Sequence, residues 1–291
     1  MLTKFVLMKT RTETDSKKKV WFITGASKGF GLSIVKQLLC AGHFVAATSR
    51  DKEALKKAVN RDESNFLPLQ VDLANESSIS LALQHTYEEF GRIDVVINNA
   101  GYGIGGAIEE LTDEETRQAF DINVFATLNV VRNVMPYLRE QRSGHIINIS
   151  SSGGFAPGMG WSIYCAAKSA VITLSEVLAE DVKHLGVKVT CVSPGAFRTN
   201  FLSGESIAVA RNPIDDYSDI TEARRSYMKR DGQQPGDPEK AAAAIINIAG
   251  KENAPVHLLL GGDAYNRVLT RLDALHSNIR EMGEVTCSTD L

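Results

Sequence analysis

Short apolar runs recur along this chain, and most are separated by longer segments with the periodicity of amphipathic helices. Each run is rich in β-branched or aromatic residues, which is typical of β-strands. The seven predicted strands are residues 20–24, 44–48, 66–71, 94–98, 145–149, 187–192 and 256–260.

Several of these runs are apolar at consecutive positions, as in Val95-Val96-Ile97 and Ile146-Ile147. Consecutive apolar residues are typical of strands buried on both faces, in a parallel sheet that helices cover. The alternation therefore predicts a single α/β domain over residues 19–291. Its core is a doubly wound parallel sheet of about seven strands with helices on both faces.

The segment 196–238 interrupts this alternation. It has no clean strand signal, and it scatters Gly, Pro, Arg and Asp among aromatic residues. A loop-rich excursion of this length inside a compact domain is usually functional, which predicts a substrate lid. The chain then returns to a C-terminal helix, in which Ala264, Val268, Leu272 and Leu275 are in phase.

Residues 1–18 lack the pattern of the rest of the chain. Their apolar patch at 5–7 is too short for a secretion signal, and a polar run of mixed charge follows it. We expect a flexible N-terminal tail. Met8 is a second candidate initiator, since the patterned sequence begins at Val20.

Composition and charge narrow the class of protein. With 32 Lys and Arg against 35 Asp and Glu, the net charge of −3 gives no basic excess. Nucleic acid is therefore not an expected partner. Apolar residues make up 43% and charged residues 23%, as in soluble globular domains. No run approaches the roughly 18 apolar residues of a membrane-spanning helix, so no span is expected.

The cysteines and histidines favour neither a disulfide framework nor a metal site. The four cysteines show no Cys-x-x-Cys spacing, and the six histidines form no ligand-like cluster. Together with the missing secretion signal, this predicts a cytoplasmic protein without a bound metal.

A glycine-rich turn follows the first predicted strand, in residues 24–31 (TGASKGFG), and a helical pattern begins directly after it. Gly25 can supply the tight turn, Gly29 lets a pyrophosphate approach the backbone, and Gly31 lets the helix pack close to the sheet. The spacing differs from Gly-x-Gly-x-x-Gly. The alternative is a strand-to-helix turn that merely needs glycines.

The end of the second strand indicates which dinucleotide would bind. An NAD site commonly has a carboxylate there, whereas this chain has Ser49 and Arg50. A guanidinium suits a 2′-phosphate, and Lys28 adds a second cation, so NADP is expected. In the alternative interpretation both cations are solvated and Asp51 caps the next helix.

Tyr164 and Lys168 lie four residues apart in a predicted helix, which places them on one face. A tyrosine that works as an acid or base near neutral pH needs a neighbouring cation, because its pKa is normally about 10. Such a pair also occurs by chance on amphipathic helices. Upstream, Ser150, Ser151 and Ser152 end a strand, where ligands usually bind in such sheets.

These features occur in one order together with residues 98–101 (NNAG) and Pro194-Gly195. In this set the chain resembles the short-chain dehydrogenase/reductase superfamily, in its shorter reductase branch, over about residues 19–260. The finer likeness is to 17β-hydroxysteroid and retinol dehydrogenases and to bacterial carbonyl reductases. The resemblance implies a Rossmann-type fold.

The resemblance also implies roles for individual residues. Tyr164 is the expected proton donor or acceptor, and Lys168 lowers its pKa and holds the nicotinamide ribose. The serine thirteen residues before the tyrosine is Ser151, which orients the substrate oxygen. Asn123 matches the asparagine that completes the proton relay.

Cofactor contacts are expected along the carboxyl edge of the sheet. They comprise Tyr164 and Lys168 together with Gly25, Ser27, Lys28, Gly29, Phe30, Gly31, Ser49, Arg50, Asp72, Leu73, Asn99, Ala100, Gly101, Pro194, Gly195, Phe197 and Thr199. Asn98 is expected to line the same groove. In the alternative interpretations, Asp72 caps the helix that begins near Asn75, and the NNAG turn simply ends a strand.

The expected function is NADPH-dependent reduction of a ketone or aldehyde, or oxidation of the corresponding alcohol. Apolar candidates for the pocket favour a hydrophobic small molecule. They are Tyr102, Ile104, Phe155, Met159, Trp161, Phe197, Phe201, Leu202, Ile207, Tyr217 and Met228. Four arginines leave an acidic substrate open, although solvated surface side chains are the preferred interpretation: Arg198, Arg211, Arg224 and Arg225.

Two further expectations complete the interpretation. The resemblance implies a homodimer or homotetramer, joined through helices that include residues 126–138 and 171–185. The alternative function is a non-catalytic dinucleotide-binding regulator with the same fold, since a fold alone does not define an activity. The intact set of Ser151, Tyr164 and Lys168 argues against that alternative.

Overall fold

A computed structural model describes residues 18–61, 64–203 and 206–291. The strands are β1 (Val20–Ile23), β2 (Phe44–Ser49), β3 (Phe66–Gln70), β4 (Val95–Asn98), β5 (Gly103–Gly105), β6 (Gly144–Ile149), β7 (Val187–Pro194), β8 (Ile207–Val209) and β9 (His257–Leu260). The helices are α1 (Gly29–Cys40), α2 (Lys52–Val59), α3 (Glu76–Phe90), α4 (Asp113–Phe120), α5 (Ala126–Gln141), α6 (Ser152–Phe155), α7 (Ser162–Val182), α8 (Ser218–Met228), α9 (Pro238–Gly250), α10 (Gly262–Glu281) and α11 (Gly283–Cys287).

Seven strands form one parallel sheet in the order β3-β2-β1-β4-β6-β7-β9. All seven strands predicted from the apolar runs are present, and every pairing between them is parallel. The strand order reverses between β1 and β4, which is the position where doubly wound sheets bind their ligands. The predicted fold class is confirmed.

The two faces of the sheet form two hydrophobic cores. Trp21 and Ile23 of β1 pack with α1, α2 and α9 on one face, while Phe22 packs with α3, α5 and α7 on the other. Alternating side chains of a strand point to opposite faces, so helices on both sides bury every residue of β1. This double burial explains why the strand sequences are continuously apolar.

The predicted tail lies outside the described residues, except for Lys18. The segment 196–238, which has no clean strand signal in the sequence, contains one short strand, β8, which pairs with β5 in a separate two-stranded sheet. With only three residues and a single pairing partner, β8 is too short to give a sequence pattern.

His145 in β6 gives the fold a predicted pH dependence. It is 2% exposed, and burial, with smaller effects of Lys188 and Lys19, lowers its pKa to about 4. The unfolded chain, with a pKa near 6.5, binds more protons between these two values. The free energy of unfolding should therefore decrease as the pH falls from about 6.5 to 4, by up to about 3 kcal/mol.

Urea unfolding of the wild type and of His145→Gln, across this pH range, measures the effect. The variant should show the shallower pH dependence. His85→Gln, at an exposed position of α3, is the matched control and should follow the wild type. Equal slopes for His145→Gln and the wild type would contradict the assignment.

Candidate active site

The glycine turn follows β1 at the point where the strand order reverses. Gly25 and Gly29 have φ values of +65° and +56°, which glycine adopts readily and other residues rarely do. At Gly31, an added Cβ would lie 2.6 Å from Asn99 Nδ2 and would also meet the backbone of Gly25 and Ala26. The turn therefore requires glycine for its backbone conformation at two positions and for close packing at the third.

Thr24 and Asn99 tie this turn to the end of β4. The Thr24 hydroxyl accepts hydrogen bonds from the backbone N–H of Asn99 and Ala100, at 3.0 and 3.1 Å. The Asn99 side-chain amide donates to the carbonyls of Thr24 and Gly25, at 3.0 and 2.8 Å. Asn99 thus supports the turn through its side chain. Sequence reasoning missed Thr24, because its partners are about 75 residues away.

The segment that follows β2 carries an exposed cation, Arg50. Arg50 is exposed and forms no ion pair within the described part of the chain. Asp51 caps α2, since its carboxylate accepts from the N–H groups of Glu53 and Ala54, both at 2.9 Å. The capping role considered for Asp51 is therefore present, but it leaves the guanidinium of Arg50 in solvent. Lys28 and Ser27 are partly buried in the turn.

Local hydrogen bonds stabilise the turn that follows β3. Asp72 is exposed, and its carboxylate accepts from the N–H of Ala74 at 3.0 Å. Asn75 caps α3, so the alternative in which Asp72 caps this helix was wrong. Leu73 packs partly against the core and faces a small cavity beside Thr24.

Three side chains meet at the ends of β6 and α7. Ser151 lies beside Tyr164, since a Cβ at Gly153 would be 3.4 Å from Ser151 Oγ and 3.9 Å from the Tyr164 ring. Lys168 Nζ lies 5.9 Å from the centre of that ring. Lys168 Nζ donates to the carbonyl of Ile149 at 3.0 Å. Ser150 is turned away and donates to the carbonyl of Lys168 at 2.8 Å. Of the three serines, Ser151 is therefore the one placed against the phenol.

Burial shifts the pKa values of Tyr164 and Lys168. It raises the pKa of Tyr164 above its ordinary value, and the neighbouring Ser151 hydroxyl opposes that rise. Burial lowers the pKa of Lys168 to about 8. The protein alone thus keeps the phenol protonated at neutral pH. A protonated phenol is the form that can donate to a carbonyl oxygen.

Asn123 lies in a π-helical turn, Asp121–Phe125, between α4 and α5. Its side chain donates to the carbonyls of Tyr102 and Ala119 and accepts from the N–H of Tyr102. A Cβ at Gly101 would lie 2.7 Å from Asn123 Oδ1 and 3.2 Å from Lys168 Nζ. The absence of a side chain at Gly101 therefore brings Asn123 and Lys168 close together. π-Turns are frequent at functional sites.

The loop after β7 is held by the start of α10. Gly195 N–H donates to the carbonyl of Leu260 at 2.8 Å, and Ala196 N–H donates to the Asp263 carboxylate at 2.8 Å. A side chain at Gly195 would collide with that carboxylate. Sequence reasoning missed Asp263, which is 67 residues from its partner. Pro194 ends β7 and is fully enclosed by the fold.

The same loop then crosses to the glycine turn. The rings of Phe197 and Phe30 meet edge to face, with centroids 5.2 Å apart. Thr199 lies beside Gly29, where a Cβ would be 3.5 Å from Thr199 Cβ. The predicted contacts at the two ends of the cofactor site are thus brought together across one cleft.

Aromatic side chains surround the phenol on its open side. Trp161 and Phe201 have ring centroids 6.1 and 5.8 Å from that of Tyr164. Tyr227 of α8 stacks edge-on against Trp161 at 5.6 Å. Met159, predicted to line the pocket, is 61% exposed. Tyr227 was not predicted, because the helix that carries it is irregular in pattern.

Three of the four arginines considered for an acidic substrate contact other parts of the protein. Arg211 pairs with Glu114 and Glu115, and Arg198 Nε donates to the carbonyl of Gln234 at 2.6 Å. Arg224 is buried against the carbonyl of Gly105, so the surface interpretation was wrong for this residue. Arg225 is exposed as expected and forms no ion pair in the described ranges. These contacts give no support to an acidic substrate.

Two further features concern metal binding and membranes. Within the described residues, no group of three or more His, Cys, Asp or Glu side chains could hold a metal ion. One helical stretch there, Ser162–Leu185, is long and apolar enough to cross a membrane. It includes α7, which packs against β7 and carries the Tyr164 and Lys168 pair.

Comparisons with known proteins agree with this architecture. The family model for short chain dehydrogenase matches residues 19–208. An oxidoreductase of Botryotinia fuckeliana is 36% identical over 247 residues, covering 84% of this chain and 90% of that protein. A 3-ketodihydrosphingosine reductase of Bacteroides thetaiotaomicron is 37% identical, covering 84% and 88%. The structure of a short-chain dehydrogenase from Streptomyces avermitilis has a TM-score of 0.88 and 37% identity, covering 94% and 100%.

The chain belongs to the short-chain dehydrogenase/reductase family. It is an oxidoreductase of a family that binds nicotinamide dinucleotides and acts on small substrates, typically as oligomers.

Proposed function

We propose that this protein uses NADPH to reduce the ketone or aldehyde carbonyl of a hydrophobic small molecule, or oxidises the corresponding alcohol with NADP⁺. The observation that carries the proposal is the placement of the Tyr164 phenol beside Ser151, with Lys168 Nζ 5.9 Å from the centre of its ring. It lies in the same cleft as a glycine turn that has no room for side chains at Gly25 and Gly31. This combination suits hydride transfer coupled to proton transfer.

When bound, the reduced nicotinamide supplies a hydride to the carbonyl carbon. Ser151 holds the substrate oxygen close to the phenol, and Tyr164 donates the proton to that oxygen. Lys168, held by Ile149, stabilises the phenolate that results and binds the ribose hydroxyls. The phenolate is reprotonated from solvent through Lys168, and Asn123, fixed by the π-turn, positions that proton route. Trp161, Phe201 and Tyr227 exclude water from the reacting atoms.

The glycine turn, residues 24–31, would hold the pyrophosphate of the dinucleotide. Gly25, Gly29 and Gly31 leave backbone N–H groups open at the start of α1, where a pyrophosphate is stabilised by the helix dipole. Gly195, Phe197 and Thr199 would hold the nicotinamide end. Asp72 and Leu73 would lie beside the adenine.

NADP preference is proposed from the charge at the end of β2. Arg50 is exposed at the position where a 2′-phosphate would lie, and Asp51 is engaged as a helix cap. Arg50→Ala should weaken NADPH binding by about tenfold, at the lower end of a charge-assisted contact because the site is exposed. NADH binding should change little. Fluorescence titration of both dinucleotides measures this effect.

Lys57→Ala is the matched control for Arg50→Ala, since it removes an exposed cation from the neighbouring helix. It should leave both dissociation constants unchanged. An equal loss of NADPH and NADH affinity in Arg50→Ala would contradict the 2′-phosphate contact. If the wild type binds neither dinucleotide, the whole proposal fails.

The lowered pKa of Lys168 predicts the pH dependence of turnover. Below about pH 8 its amine is protonated, and above that pH the cation is lost. We expect kcat/KM for carbonyl reduction to fall above about pH 8, by at most about tenfold per pH unit. Lys168→Arg, which keeps its charge, should lower the rate but remove this fall. A wild-type profile that stays flat to pH 10 would contradict the assignment.

A hydrophobic substrate is proposed from the aromatic surroundings of Tyr164. The likeness to a protein named 3-ketodihydrosphingosine reductase makes long-chain ketones the first class to screen. We also propose a cytoplasmic homodimer or homotetramer, joined through α5 and α7. Phe125 and Val177, which are 50% and 56% exposed at these helices, support that assembly.

A further inference from the structure

The apolar stripe of α10 is covered by its own domain only in the first two turns. Ala264 and Val268 are buried there. The same stripe continues beyond the edge of the domain in four residues that are 40–62% exposed: Leu272, Leu275, Ile279 and Met282. An amphipathic helix normally faces its apolar stripe toward a packing partner. Half of this stripe has no such partner within the described chain.

The overhanging part is long. From residue 269 to the C-terminus, every residue except Gly283 is exposed. The helical residues 270–281 alone extend about 18 Å, at about 1.5 Å per residue. Isolated helices of this length are marginal in water, because packing of the apolar face supplies most of their stability. We therefore expect the arm, residues 269–282, to pack against a partner outside its own domain.

The charge of the arm argues against a membrane as that partner. Helices that lie on membranes are usually rich in Lys and Arg. The sequence from residue 269 onwards has no lysine and a net acidic balance, with Arg271 and Arg280 against Asp273, Glu281, Glu284 and Asp290. An anionic lipid surface would repel this segment more than it would attract it.

A second copy of the same helix fits the stripe. The four exposed residues are separated by three, four and three positions, which is the spacing of a coiled-coil seam. In an antiparallel pair centred near residue 277, Leu272 faces Met282 of the second copy and Leu275 faces Ile279. The positions beside the seam at the centre are His276 and Asn278, so no like charges of fixed sign meet there.

We propose that the arm pairs antiparallel with the arm of a second copy of this chain. This inference does not depend on the proposed activity, but it rests on the proposed assembly through α5 and α7. Four apolar side chains per copy cover less than the ~800 Å² per partner of a standard interface. The pairing therefore adds to contacts elsewhere between the two domains. Tyr265 and Leu269, which are 56% and 42% exposed, widen the apolar surface at the root of the arm.

Distances between spin labels on the full-length protein test the pairing. Cys40 and Cys287 are the exposed cysteines and are first replaced by serine. A label at His276→Cys should report roughly 15–30 Å between copies, since paired helices lie about 8–10 Å apart. A label at Thr286→Cys should report a longer distance. The two labels at residue 286 lie about 27 Å apart along the axis of an antiparallel pair.

Charged substitutions separate specific pairing from chance proximity. Leu275→Glu combined with Ile279→Glu should abolish the short distance at residue 276 and leave the thermal unfolding temperature unchanged. Leu81→Glu, at a 55% exposed position of α3, is the matched control and should preserve the distance.

Three results would overturn the proposal. They are no distance below about 40 Å at residue 276, a short distance that survives the double glutamate substitution, or equal short distances at residues 276 and 286, which indicate a parallel pair. Immobilisation of the label only on adding anionic phospholipid vesicles would assign the arm to a membrane surface instead.

Discussion

Tyr164→Phe should lower turnover by about 10²–10⁴-fold, because it removes only the proton that the phenol donates to the substrate oxygen. The ring should stay in place, since Trp161 and Phe201 pack against it and the substitution removes no carbon. We therefore expect the NADPH dissociation constant to change by less than about threefold. Steady-state kinetics with an active ketone, combined with fluorescence titration of NADPH, measures both quantities.

Tyr102→Phe is the matched control for this prediction. Tyr102 is a partly buried tyrosine near the same cleft, and its backbone rather than its hydroxyl bonds to Asn123. This variant should retain most of the activity. Near-normal turnover in Tyr164→Phe, or an equal loss of turnover in both variants, would contradict the assignment of Tyr164 as the proton donor.

Gly31→Ala should weaken dinucleotide binding by around a hundredfold. Alanine normally stabilises a helix relative to glycine, but at this position its methyl group meets the Asn99 amide and the backbone of Gly25 and Ala26. These are rigid neighbours, so the turn must shift. Overpacking of this kind costs roughly 1–3 kcal/mol, which corresponds to the expected loss of affinity if the strain is relieved at the turn. Titration with NADPH measures it.

Gly250→Ala provides the matched control. Gly250 ends α9 without a positive φ, and a Cβ there would meet nothing within 4 Å. This variant should bind NADPH like the wild type and be at least as stable. If Gly31→Ala also binds NADPH normally, the close packing of α1 against the end of β4 is not needed for dinucleotide binding.

The strands were predictable because burial on both faces leaves a strong local signal. Phe22 and Ile23 face opposite helical layers, so both must be apolar. The small sheet of β5 and β8 gave no such signal, since Gly103 and Gly105 make up most of one three-residue strand. Its existence depends on a pairing between residues about 100 positions apart.

In the candidate site, the sequence predicted which residues would take part, but it did not predict the contacts that hold them in place. Residues such as Ser151, Tyr164 and Lys168 stand in a recognisable order in the chain. The Thr24 and Asn99 network and the Asp263 contact arise only when distant segments meet. The raised pKa of Tyr164 likewise depends on burial by neighbours from several elements, and no spacing in the sequence encodes that burial.

The contact of Asp263 with the loop after β7 also sets an order of events during synthesis. β1, the glycine turn and β4 leave the ribosome early, so this side of the cleft can fold on the emerging chain. Gly195 and Ala196 gain their partners only after Leu260 and Asp263 have been synthesised. A nascent chain stalled before β9 would carry a complete glycine turn and an unanchored loop after β7. The two sides of the cleft are therefore completed at different times during synthesis.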